Sequence, residues 1–70
     1  MPLAISPLGK EVKIVRTVAD IKLKKHLENL GLIMGEAVTP VSDNFGNLIV
    51  KIKGCKLAID KGLAMKIFVS

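Results

Sequence analysis

The chain has 70 residues, half of them hydrophobic, with eleven Lys and Arg against six Asp and Glu and a net charge of +5. That length supports one domain, residues 1–70, and leaves little room for a deep, walled active site. The single cysteine, Cys55, excludes an intrachain disulfide, and because secreted domains of this size usually need such staples, a reducing, cytoplasmic setting is expected.

The opening stretch lacks the positive start of a signal peptide, and Pro2 and Pro7 interrupt it. No apolar run approaches the ~20 residues that span a bilayer. Leu3 to Gly9 reads as an irregular lead-in. Glu11 to Val18 reads as a strand, with Val12 and Ile14 on one face and Lys13 on the other. Val15 and Val18 blur the alternation, which suggests partial cover on both sides. From Asp20 to Leu30 the period changes: Leu23, Leu27 and Leu30 form one helical stripe, predicted to pack on the rest of the fold. Asp20 is placed to cap this helix, and Gly31 suits the left-handed position just past its end.

Leu32-Ile33-Met34-Gly35 is an apolar connector, with Gly35 turning into a second strand over Ala37 to Val41. Pro40 inside that strand implies an edge or a bulge. Ser42 to Asn47, containing Gly46, is the expected hairpin loop. Phe45 within it is read either as a lid over one end of the fold or as a partner contact. Leu48 to Lys53 is a third strand and Gly54 a tight turn. Leu57 to Ile59 is a short fourth strand. Asp60 is placed to cap a helical turn through Leu63, and Met65 to Val69 closes as a fifth strand with Ile67 and Val69 inward. Short, bent strands with glycine turns predict a mainly β fold. The expected form is a small barrel with one inserted α-helix and a short helical turn before the last strand.

The chemistry-bearing residues are sparse. There is no Gly-rich Lys-Ser/Thr loop for phosphates and no cysteine pair for zinc. The carboxylates are scattered, and no base is placed beside Cys55 to activate it. His26 and Cys55 are the only weak metal candidates, each more simply a surface or turn residue, so no cofactor is expected beyond a weakly held transition metal ion. With no Trp or Tyr and only two Phe, the chain lacks the aromatic platforms of proline-rich-peptide and single-strand readers. These absences argue against an enzyme and for a domain that acts by contact.

The run Leu23-x-x-x-Leu27-x-x-Leu30-Gly31-Leu32-x-x-Gly35-x-x-Val38 resembles the signature of the ferrous iron transport protein A (FeoA) family. Gly46-x-x-x-Val50-x-Ile52-x-Gly54, Leu57-Ala58-Ile59 and Ala64-Met65-x-Ile67-x-Val69 fit in order, so the likeness runs from Leu3 to Val69. It implies an SH3-like β-barrel with an inserted helix. It also implies a cytoplasmic accessory role in bacterial ferrous iron uptake, peripheral to the inner membrane through the permease FeoB, which carries its own GTP-binding domain and whose GTPase or transport activity the chain would modulate. The docking residues would be Leu32, Met34 and Phe45, while Gly31, Gly35, Gly46 and Gly54 set turns and Leu32 and Met34 alternatively fill the end of the barrel. Two other readings stay open. One is a transition-metal-binding or sensing domain like the SH3-like domain of iron-dependent repressors. The other is a basic nucleic-acid-binding barrel, supported only by charge. Self-association is compatible with all three.

Overall fold

The computed structural model describes residues 1–70. A 3-10 turn, Leu3–Ile5, leads into β1 (Val12–Thr17), α1 (Ile21–Asn29), β2 (Ala37–Asn44), β3 (Asn47–Ile52), β4 (Cys55–Asp60), α2 (Lys61–Ala64) and β5 (Ile67–Val69). All strand pairs are antiparallel, in the order β4-β3-β2-β1-β5. The sheet curls around one cluster of 13 buried apolar residues, fed by alternate positions of the strands: Val12 and Ile14, Leu48, Val50 and Ile52, Ile67 and Val69. A mainly β fold with one three-turn-scale helix and a short helical turn is thus the observed architecture.

The helix starts and stops where its local chemistry requires. Asp20 accepts a hydrogen bond from the Leu23 N–H at 2.8 Å, a cap worth about 1 kcal/mol. At the other end Leu30 is the cap and Gly31 takes φ +87°. The Gly31 N–H donates to Glu28 C=O at 3.0 Å and the Leu32 N–H donates to Leu27 C=O at 2.9 Å. Those two bonds are the Schellman stop, whose usual companion is an apolar contact between the residue after the glycine and the last turn. Leu27 and Leu32 are both buried and belong to the same core cluster. Leu23 and Leu30 pack against it half-buried.

Several sequence expectations are corrected. The hairpin loop is not Ser42–Asn47. The strands run on to the Asn44–Asn47 pair and leave only Phe45 and Gly46 in the turn. Both have positive φ, +46° and +84°, the pattern of a type I′ turn whose twist matches the flanking strands. Lys53 and Gly54 repeat it between β3 and β4, at +51° and +81°. β1 is not covered on both sides: Val15 and Val18 are exposed. The β1–β5 register shifts between Ile14 and Arg16, so Val15 is a bulge residue and breaks the alternation. Pro40 is followed by a shift between Pro40 and Ser42, the bulge its missing donor suggests.

The lead-in is less irregular than its prolines imply. Leu3 is wholly buried, and the Ser6 hydroxyl donates to Leu3 C=O at 2.8 Å. Asp60 precedes α2 but makes no side-chain cap bond. β4 is longer than Leu57–Ile59, and β5 begins at Ile67, because Met65 and Lys66 are spent on ending α2. The sheet order has two ends, β4 and β5, so closure by a ladder between them is not part of the fold.

Candidate docking surface

The residues expected to meet a partner separate in space. Leu32 is 1% exposed, because the Schellman stop turns its side chain back onto Leu27. It belongs to the core and presents almost no surface of its own, so any part it plays in docking is as a wall of the cavity beside Met34. Met34 is 69% exposed and Ile33 is 40% exposed. They follow Leu32 directly, in a connector held to β1 by Gly35 N–H donating to Ile14 C=O at 2.8 Å and Ile14 N–H donating to Glu36 C=O at 2.9 Å. Met34 does not fill the barrel end; only Leu32 does.

Beside Met34 lies a cavity of about 180 Å³. Its walls are Lys24, Leu27 and Glu28 of α1, Thr17 of β1, and the connector Leu32–Met34. Cofactor and drug-like sites occupy roughly 300–1,000 Å³, whereas a cavity of about 150 Å³ holds a benzene ring. The depression therefore suits one apolar side chain, with Lys24 and Glu28 on its rim. An exposed thioether next to such a depression makes a mouldable contact surface.

Phe45 is 105% exposed at the β2–β3 turn, so it is not a lid over the fold. β2 lies between Phe45 and the connector, and its eight residues at ~3.3 Å each separate the two by up to roughly 25 Å along the strand. A contact seated on one side chain does not readily reach both. The turn beneath Phe45 is anchored by Lys61, whose N–H donates to Gly46 C=O at 2.9 Å and whose ammonium lies 2.7 Å from Asp43.

An aromatic residue at φ +46° carries a steric cost of about 1–2 kcal/mol that asparagine largely escapes. Phe45→Asn is therefore expected to raise stability by about 1 kcal/mol, a midpoint gain of roughly 4–8 °C in thermal unfolding. A lowered midpoint would mean that the ring supports the fold. The expected gain marks Phe45 as a residue that the turn itself does not favour.

The metal candidates lie on different elements. His26 is exposed on α1, in a shallow depression with Asp20, Lys22 and Leu23. Cys55 is an exposed thiol at the start of β4. No three His, Cys, Asp or Glu side chains gather where they could hold a metal ion. No helix is long and apolar enough to cross a membrane.

The FeoA domain model matches residues 1–70. A Methanocaldococcus jannaschii protein with the provisional name Fe(2+) transport protein A is 34% identical over 68 residues, covering 97% of this chain and 83% of its own. A crystal structure of an iron uptake regulatory protein, FeoA, superposes with a TM-score of 0.89 at 27% identity, covering 99% of this chain and 93% of that one. ScaR, solved with bound Zn2+, shares the fold with a TM-score of 0.88 at 20% identity, over 99% of this chain and 35% of its own.

Proposed function

The chain belongs to the FeoA family, a family of non-enzymatic transport accessory proteins, and from that membership we propose that it serves Fe2+ transport as a cytoplasmic subunit docking on a FeoB-type permease. The observation that carries the docking reading is the exposed Ile33–Met34 pair beside a cavity the size of one side chain. Apolar contacts centred on a mobile thioether, with a side chain of the permease seated between α1 and the connector, supply the association. Lys24 and Glu28 at the rim fix its orientation.

Contact of this kind is tolerant of salt, because its energy comes from buried apolar area and not from exposed charges. Co-purification of the permease with the tagged chain, with and without guanine nucleotide and over a salt series, is the test. Retention that changes less than severalfold between low and high salt fits the proposal. Failure to retain the permease under any condition would remove it.

A further inference from the structure

The two ends of the sheet are treated differently. At β5 the outer edge is occupied: the Val69 N–H donates to Met1 C=O at 2.8 Å, and Pro2 bridges Phe68. β4 is the other end of the order. The register of the β3–β4 hairpin decides which of its backbone groups are free. A two-residue turn makes its flanking residues, Ile52 and Cys55, exchange both hydrogen bonds, and bonded and non-bonded pairs alternate from there. Val50–Leu57 and Leu48–Ile59 are then bonded pairs, and the Lys61 N–H continues the series to Gly46 C=O at 2.9 Å. Lys56 and Ala58 fall in the non-bonded pairs, so their N–H and C=O groups point away from β3. None of the turn, loop or cap hydrogen bonds of the chain reaches either residue.

The side chains give this free edge a sign. Lys56 stands directly opposite Lys51, and both are exposed. Like charges so placed repel, and neither takes part in an ion pair: the two pairs present are Lys53–Glu36 and Lys61–Asp43. Edge lysines discourage pairing with a second basic sheet, and at +5 two copies of this chain repel each other. The same charges attract an acidic strand. Ala58, small and exposed, leaves room for the neighbour, and Asp60 beyond it marks the end where a carboxylate would be unwelcome.

We infer that the free edge of β4 accepts an extended acidic segment of a partner protein as an added strand. The segment bonds its main chain to Lys56 and Ala58, and a carboxylate on it faces Lys56, with Lys51 one strand further in adding to the positive field. The edge belongs to β4 and not to the connector, although Lys53 of the β3–β4 turn reaches Glu36 just past it, and the inference does not depend on docking at Met34.

The probe is a capped peptide of about eight residues alternating Glu and Val, titrated at low salt into the isotope-labelled chain. The amides of Lys56 and Ala58 are expected to shift and to gain protection from hydrogen exchange. Lys56→Glu should weaken binding at least tenfold, and a peptide alternating Lys and Val should not bind. Ala58→Pro removes only an outward donor and should abolish binding; Lys56→Glu decides the matter if that proline disturbs the fold. Absent binding, equal binding of the basic peptide, shifts centred on Met34, or unchanged affinity in Lys56→Glu would each overturn the inference. Concentration-dependent protection of β4 without peptide would give the edge to a second copy and overturn it as well.

Discussion

Leu32→Ala is expected to lower the unfolding free energy by about 3 kcal/mol, within the range of buried leucine truncations. Leu32 is 1% exposed and lies against Leu27, itself 1% exposed, at the point where the helix stop meets the core. Removing its branched end strips apolar burial and leaves a void that the neighbouring strands are too firmly paired to close. A domain of this length commands only roughly 4–10 kcal/mol in total. The loss should therefore be a third or more of the whole, visible as a thermal midpoint lower by more than about 10 °C. Urea unfolding with an unchanged slope would assign the effect to stability and not to a changed denatured state. A loss below about 1 kcal/mol would show that the connector does not belong to the core.

The place of Leu32 was written in the sequence, but in a different rule from the one that drew attention to it. As part of an apolar tetrapeptide it looks like surplus hydrophobicity. As the residue after a helix-ending glycine it is the apolar partner of a Schellman stop, and the Leu27, Gly31, Leu32 spacing predicts its burial. The Leu-Gly-Leu element of the family signature is thus a folding device. The order of helix and strands was equally legible, though not the β2–β3 turn or the ends of β4 and β5, because periods of 3.6 and 2 and the glycines at positive φ are local.

What was not legible depended on residues far apart in the chain. Val15 loses its inward direction only because β5 shifts register against it. Phe45 hid a two-residue turn because asparagine or glycine would normally stand there. Leu3 is buried by a fold that its own prolines do not announce. The free edge of β4 follows from a pairing register, which no single segment contains.

Met34→Asp is expected to weaken association with the permease at least thirtyfold while changing stability by less than about 0.5 kcal/mol. The two halves of that expectation follow from the same exposure of 69%: the side chain contributes little to the core and is available to a partner. A carboxylate in its place must be desolvated against apolar neighbours, Ile33 among them, and meets no cation in the interface except where Lys24 reaches it. A loss of 2 kcal/mol or more corresponds to about thirtyfold in the dissociation constant.

Phe45→Asp is the discriminating companion, because the two residues stand at opposite ends of β2. If Met34→Asp alone abolishes binding, the permease sits on the connector. If Phe45→Asp alone abolishes it, the hairpin tip is the docking element and the connector proposal fails. Phe45 occupies a turn position that favours asparagine, so its presence there is not explained by the turn's own backbone preference. Loss of binding in both variants would require a permease surface spanning the full length of β2, a much larger interface than a single seated side chain.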